Sequence, residues 1–132
     1  MFPPGIVGEL VVVALKAVAG KQDPLCVFRL GDVAMKTKTD VRGGQNPIWD
    51  DQVNLPVPVG ATKLHMQLFD KNTNISNLIA EGYVDLSKVL REGEHDDFFP
   101  LTFRGKRAGE IYLELTFYSA VSHSFFFLCY KR

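Results

Sequence analysis

Three histidines and two cysteines are the side chains of this sequence that could serve as a base or a nucleophile: His65, His95, His123, Cys26 and Cys129. Nucleophilic catalysis requires a base within hydrogen-bond reach of the nucleophile, and no spacing in the sequence groups these residues. His65 is expected to point away from the core because it lies between the predicted core residues Leu64 and Met66, whereas His95 is expected in an acidic loop. There is also no phosphate-binding glycine loop and no metal-like cluster of cysteine and histidine. We therefore predict that the protein is not an enzyme.

Two segments are rich in oxygen-bearing side chains, at residues 20–24 and 70–77. Oxygen atoms at alternate positions of a loop can converge on a hard cation, which takes six to eight such ligands. Asp and Asn are equally typical of turns, where their side chains bond to the nearby backbone. The residues alone leave both interpretations open.

The third feature is a basic strand followed by a firm reversal of the chain, at residues 36–51. Successive side chains of a strand face opposite sides of a sheet, so Lys36, Lys38 and Asp40 are expected on one face and Thr37 and Thr39 on the other. Arg42 follows in the turn. Such a charged face could bind an acidic surface, but edge strands also carry lysines simply to block aggregation.

The elements that must position these residues are predicted to be strands. Short apolar runs recur about every ten residues between Gly, Pro, Asn and Asp, which is typical of an antiparallel sandwich. We predict an all-β fold, an eight-stranded antiparallel β-sandwich of two four-stranded sheets. The strands are expected near Glu9–Leu15, Leu25–Leu30, Val33–Asp40, Trp49–Val57, Lys63–Phe69, Ile79–Leu86, Phe98–Phe103 and Glu110–Tyr118. Ser87 is expected to cap a single helical turn over Lys88–Arg91.

Length and composition favour one domain without structural staples. The 132 residues are 46% hydrophobic and 23% charged, and the 15 acidic residues balance the 15 basic ones. A balanced charge does not favour nucleic acid as a partner, and two distant cysteines favour a reducing compartment. Leu10–Leu15 is apolar, but no basic residue precedes it, so a signal peptide is not expected. We predict a domain at residues 1–118 and an atypical aromatic tail at residues 119–132.

Several motifs resemble those of the C2 domain family. They are Gly8-Glu9-Leu10-Val11-Val12, Gln22-Asp23-Pro24, the segment from Thr39 to Asp50, Leu68-Phe69-Asp70-Lys71-Asn72 and Leu78-Ile79. The most specific is Asn-Pro-x-Trp-Asp at residues 46–50. Residues 42–45 before it are similar to the C2 domains of fungal ingression proteins, which act in cytokinesis. The resemblance covers residues 8 to 118.

The resemblance implies a fold and two kinds of site. C2 domains are eight-stranded sandwiches that often bind phospholipid membranes, with calcium held by loop aspartates and a basic strand as a second lipid site. Asp23 and Asp70 match the calcium-ligand positions, whereas Asn72 and Asn77 stand where the family has aspartates. Fewer carboxylates lower calcium affinity, and no aspartate precedes Asp23 in the short first loop. Calcium binding is therefore expected to be weak or absent, and no other cofactor is expected.

The resemblance thus predicts a noncatalytic C2 module at an acidic phospholipid membrane surface. Lys36, Lys38 and Arg42 would bind the lipid headgroups, largely without calcium, in a protein of cytokinesis or membrane traffic. Its location would be cytoplasmic and peripheral at the membrane. The alternative is a protein-interaction adaptor without significant lipid binding, which would use a sheet face or the aromatic tail. Nucleic acid is not expected as a partner in either case.

Overall fold

The computed structural model describes residues 4–18, 24–37, 48–70 and 77–120. Within these residues the backbone forms eight strands and one short helix. They are β1 (Ile6–Val18), β2 (Pro24–Leu30), β3 (Val33–Lys36), β4 (Ile48–Pro58), β5 (Lys63–Asp70), β6 (Asn77–Asp85), α1 (Ser87–Glu92), β7 (Glu94–Phe103) and β8 (Lys106–Ser119).

The eight strands are connected in one sheet that folds into two four-stranded layers around the core. Neighbouring strands follow the order β3-β2-β5-β6-β7-β8-β1-β4, and all the pairs are antiparallel. Between β6 and β7 the ladder has one registered pair, Glu81 with Thr102, so the order is nearly interrupted there. Strands β3-β2-β5-β6 form the first layer and β7-β8-β1-β4 the second. The predicted all-β, eight-stranded architecture is confirmed.

Gly82 lets the two layers approach each other next to this single pair. A Cβ atom at Gly82 would lie 2.5 Å from the carbonyl oxygen of Pro100 and 3.2 Å from Cε of Met66. Because the nearest atom belongs to the backbone, it cannot move aside at low cost. Only glycine fits where β6 passes β7 at this distance.

The core lies between the layers and follows the period of two in each strand. Leu64, Met66 and Leu68 of β5 are fully buried, and alternate residues of β8, namely Ile111, Leu113 and Leu115, join them in one hydrophobic cluster. Each such side chain contributes about 1.5–3 kcal/mol to folding when it leaves water. The core residues of β5 and β8 therefore belong to one cluster, and the partly buried Phe117 packs against it.

The bounds of two strands differ from the predicted ones. β7 begins at Glu94, so His95 lies in a strand, and its expected place in an acidic loop is wrong. Residues 94–97 are polar, and their strand conformation comes from pairing with residues 113–116 of β8, which a local pattern does not reveal. β3 is described to Lys36, and residues 38–40 of its predicted range lie outside the described residues.

Helix α1 begins by a different cap from the predicted one. Ser87 is the first helical residue and makes no side-chain cap; the Asp85 carboxylate instead accepts hydrogen bonds from the Ser87 N–H at 2.9 Å and the Ser87 hydroxyl at 2.6 Å. The hydroxyl bond, followed by the backbone bond, lowers the pKa of Asp85. The helix ends at Glu92, and its C-cap Gly93 has a left-handed φ of 92°.

Two predicted features lie largely outside the described residues. The turn at residues 38–47 is one, and the tail is the other except for Ser119, which ends β8, and Ala120. The proposed boundary between domain and tail stays a prediction. In the part of the chain that the structure describes, no helix is long and apolar enough to cross a membrane.

Candidate functional site

The outer side of the first layer carries a cluster of basic, aromatic and polar side chains. Strand register places them in two rows across the layer. The first row runs through paired residues in the order Lys36, Val27, Gln67 and Glu81. The second row runs in the order Arg29, His65 and Tyr83. Lys63 lies one pair further along β5, opposite Asp85. We call this surface the basic face; its members are Arg29, Lys36, Lys63, His65, Gln67, Glu81 and Tyr83.

Lys36 reaches the basic face because its neighbour is fixed on the opposite side of β3. Thr37 is 3% exposed, and its hydroxyl oxygen accepts a hydrogen bond from the Cys26 N–H at 3.0 Å. The Thr37 N–H donates to the Cys26 carbonyl oxygen at 2.9 Å. Successive side chains alternate, so the buried threonine leaves Lys36 exposed to solvent. The predicted alternation of Lys36 and Thr37 is confirmed.

Arg29 is exposed on the basic face, and a hydrogen bond to a neighbouring strand orients its side chain. Its Nε donates a hydrogen bond to the Gln67 side-chain oxygen at 2.6 Å. That bond uses one of the five donors of the guanidinium, and the remaining four stay available for another acceptor. Arg29 therefore adds an oriented positive charge beside Lys36.

An aromatic pair occupies the other part of the basic face. The ring of His65 stacks on Tyr83 with centroids 4.5 Å apart, and His65 Nε2 lies 2.9 Å from Glu81 Oε1. Lys63 Nζ lies 6.0 Å from the Tyr83 ring centroid, at the limit of a cation–π contact. His65 does point off the core, as predicted, and its polar partner is the Glu81 carboxylate rather than a cysteine thiol.

The structure describes one of the three predicted lipid-binding side chains. Lys36 is exposed on the basic face, whereas Lys38 and Arg42 lie outside the described residues. Arg29 and Lys63 are basic residues of the same face that the sequence interpretation missed. A signal for Arg29 was present, because a charged side chain inside the apolar run at residues 25–30 must occupy the solvent side of its strand.

Strand register relates two of the predicted calcium positions, Asp70 and Asn77, to each other. Asp70 at the end of β5 is in register with Asn77 at the start of β6, and also with Pro24, the residue after Asp23. Asp23 and Asn72 lie outside the described residues, and no group of three or more potential metal ligands occurs within them. The donor set predicted from the sequence has two carboxylates among its four side chains, which is a weak set for calcium.

Among the described residues, the candidate catalytic side chains Cys26, His65 and His95 lie in three different environments, and His123 and Cys129 lie outside the described residues. Cys26 is buried in β2, and burial raises the pKa of its thiol, so the reactive thiolate is disfavoured. The side chain of His65 lies on the outer side of the first layer, on β5. His95 belongs to β7, where its ring meets the edge of Phe99 at 5.1 Å, and its Nδ1 is buried without a hydrogen-bond partner among the described residues.

The outer side of the second layer has the opposite charge. Odd-numbered residues of β8 face the core, so its even-numbered residues face outward together with their register partners on β1 and β7. We call this surface the acidic face; its charged members are Glu9, Glu94, Asp96, Glu110 and Glu114, and its exposed aromatic members are Phe98 and Tyr118. Arg107 forms an ion pair with Glu110, with 3.1 Å between Nη2 and Oε1. The backbone of Lys16 on β1 is in register with Tyr112 of β8.

Comparison with known proteins gives one family match. The family model described as the C2 domain matches residues 9–101 of this chain. Ingression protein fic1 of Schizosaccharomyces pombe is 31% identical over 108 residues, which cover 77% of this chain and 38% of that protein. The chain therefore spans well under half of this curated relative.

Solved structures give the same fold. A C2 domain-containing protein superposes with a TM-score of 0.78 at 22% identity, covering 91% of this chain and 95% of the other. The calcium-bound pair of C2 domains from extended synaptotagmin 2 gives a TM-score of 0.73 at 22% identity, covering 89% of this chain and 48% of the other. At this identity the likeness shows the fold alone.

Proposed function

Because this chain belongs to the C2 domain family, we propose that it is a noncatalytic module that attaches peripherally to acidic phospholipid membranes. One observation carries the proposal: Lys36 and Arg29 lie together, exposed, on the basic face of the sandwich. Phosphate groups are favoured ligands of both side chains, and the guanidinium can bind them with two parallel hydrogen bonds. The proposed lipid site contains Lys36, Lys38 and Arg42, now extended by Arg29.

The expected attachment is weak and reversible. Each basic side chain close to an anionic leaflet contributes about 1 kcal/mol, so Lys36, Lys38 and Arg42 together contribute ~3 kcal/mol before screening. Glu81 on the same face opposes part of this attraction. An affinity of this size depends strongly on salt, since the Debye length is only about 8 Å at physiological ionic strength.

Calcium is proposed to have little part in this attachment. Asp23 and Asp70 supply two carboxylates, whereas Asn72 and Asn77 supply neutral amides, and the charge of the ligands is a main determinant of calcium affinity. A bound calcium ion would attract lipid phosphate to the end of the sandwich where β5 ends and β6 begins. The proposal is that membrane binding proceeds largely without it.

The proposed setting is the cytoplasmic surface of a membrane, in cytokinesis or membrane traffic. The similarity to a protein named ingression protein supports the first process. The cytoplasmic leaflet carries the anionic lipids that attract basic side chains, and the buried, unpaired Cys26 is in keeping with a reducing compartment.

Vesicle partitioning tests the proposal. The protein is mixed with vesicles of phosphatidylcholine alone or with phosphatidylserine, with and without calcium. Lys36→Gln combined with Lys38→Gln is expected to weaken binding to the acidic vesicles by about thirtyfold, at about 1 kcal/mol per charge. The matched control, Lys88→Gln with Arg91→Gln, removes two exposed charges from α1 and should change little. Binding that ignores lipid charge would contradict the proposal.

A second candidate function, protein-interaction adaptor, is favoured by the acidic face. Carboxylates there repel an acidic membrane, whereas Phe98 and Tyr118, 41% and 49% exposed, offer apolar contacts to a protein. A segment rich in lysine and arginine would complement this surface. Glu94→Gln with Glu114→Gln should then weaken binding of such a peptide, measured by fluorescence anisotropy, without affecting vesicle binding. Equal peptide affinity for both proteins would argue against the adaptor function.

A further inference from the structure

The hairpin between β7 and β8 carries three exposed basic residues that the proposed lipid site does not use. Arg107 is paired with Glu110, Nη2 to Oε1 at 3.1 Å. Arg104 and Lys106 have no carboxylate partner within ion-pair distance among the described residues. Two uncompensated positive charges therefore lie side by side at the tip of one hairpin.

The turn itself is built against the usual preference of arginine. Phe103 pairs with Lys106, which leaves Arg104 and Gly105 as a two-residue turn, and both have positive φ, 53° and 80°. Tight turns with two positive φ angles favour Asn, Asp or Gly. Arg104 is the single non-glycine residue with positive φ in the described chain. An unfavourable conformation retained at an exposed charged residue points to a role in binding.

Arg104 is also oriented by its neighbour. The guanidinium carbon lies 5.0 Å from the centroid of the Phe103 ring, a cation–π distance. The side chain is thereby held along the hairpin rather than left to sample many rotamers. Less conformational entropy is lost when an ordered side chain binds a ligand.

Register places this hairpin at the same end of the sandwich as the other candidate positions. Val18, the last residue of β1, pairs with Glu110 of β8. The first residue of β8, Lys106, therefore lies just beyond the end of β1. Thr102 of β7 pairs with Glu81 of β6. Because the two strands are antiparallel, the end of β7 at Phe103 and the start of β6 at Asn77 lie in the same direction from this pair. Asn77 is in register with Asp70, and Asp70 with Pro24. Lys36 lies nearby, paired three residues from Pro24.

We propose that Arg104 and Lys106 form a second contact with the acidic phospholipid surface, so that the domain docks with this end toward the bilayer. The inference rests on the proposed function and adds an orientation to it. An anionic bilayer is the occupant that fits, because the two charges lie at the outermost point of a hairpin and require a surface of opposite charge rather than a pocket. The basic face and the hairpin would then contact one membrane together.

The experiment compares two double variants in the whole chain. Arg104→Asn with Lys106→Gln removes both charges, and asparagine tolerates the positive φ of the turn. Partitioning into phosphatidylcholine vesicles containing phosphatidylserine is expected to fall about thirtyfold, as for the two lysines of the basic strand. The control variant Lys88→Gln with Arg91→Gln removes two charges from α1, near the opposite end, and should stay within about twofold of the unmodified protein.

The outcomes separate this inference from the proposed function. Loss of binding in the hairpin variant, with binding retained by Arg104→Lys, supports the second contact. Unchanged binding of the hairpin variant, while the variant at Lys36 and Lys38 loses binding, overturns the second contact and leaves the proposed function intact. Failure of the unmodified protein to bind acidic vesicles overturns both.

Discussion

The hydroxyl oxygen of Thr37 accepts a hydrogen bond from the buried backbone N–H of Cys26 at 3.0 Å, and this contact holds the end of β3 against β2. The relationship determines which side chains of β3 face solvent, because burial of Thr37 places Lys36 on the opposite side. A packing contact inside the sandwich thus positions a charge of the proposed lipid site.

Replacing Thr37 by valine should destabilise the protein while preserving the shape of the side chain. The Cys26 N–H would lose its acceptor in a buried position, which costs about 1–3 kcal/mol. Urea unfolding measures the loss. Thr37→Ser keeps the acceptor and loses only the methyl group, so it should recover most of the stability; a Thr37→Val variant as stable as the unmodified protein would show that the hydrogen bond contributes little.

Replacing Gly82 by alanine should disturb the join between the layers. The new Cβ would lie 2.5 Å from the Pro100 carbonyl oxygen, so β6 and β7 must separate. Overpacking of this kind costs about 1–3 kcal/mol. Thermal unfolding should show a clearly lower Tm, and a Tm equal to that of the unmodified protein would mean that the layers separate more easily than their packing suggests.

Replacing Arg104 by asparagine should not destabilise the domain. A left-handed conformation costs most L-residues about 1–2 kcal/mol, and asparagine is one of the residues that adopt it readily. The lost contact with the Phe103 ring, about 0.5–1 kcal/mol at an exposed site, offsets part of the gain. The free energy of unfolding should rise by up to about 1 kcal/mol. A marked decrease would show that the Arg104–Phe103 contact stabilises the hairpin more than its backbone strain opposes it.

Replacing Asp85 by alanine should lower the Tm by removing the acceptor at the start of α1. The pKa of Asp85 is lowered by its hydrogen bonds from Ser87, so the stabilisation is present above its ordinary value of 3.8 and is lost as the pH falls through the lowered pKa. The difference in Tm between the two proteins should therefore be largest near neutral pH and shrink in acid. A difference that does not change with pH would rule out this carboxylate as its source.

The thiol of Cys26 should resist modification in the folded protein. It is 1% exposed, and burial raises its pKa, so both access and thiolate formation are disfavoured. In the variant Cys129→Ser, where Cys26 is the single cysteine left, a chromogenic disulfide should react only after denaturant is added. Rapid reaction in buffer alone would show that β2 opens readily.

The fold class and the family follow from the amino-acid sequence without knowledge of the tertiary structure. The alternation of Leu64, His65 and Met66 predicts a strand with Leu64 and Met66 in the core and His65 outside it. These are local consequences of a period of two, and they needed no knowledge of which strands are neighbours. The opposite orientations of Lys36 and Thr37 follow from the same period of two.

The surfaces that these strands form depend instead on the tertiary structure. Arg29 and Lys36 share a face, and Asp70 lies opposite Asn77, because of the pairing order of strands distant in sequence. The polar start of β7 became a strand for the same reason, since its hydrogen bonds go to β8. Register between distant strands depends on the packing of the whole chain, whereas a local pattern reports only the two faces of one strand.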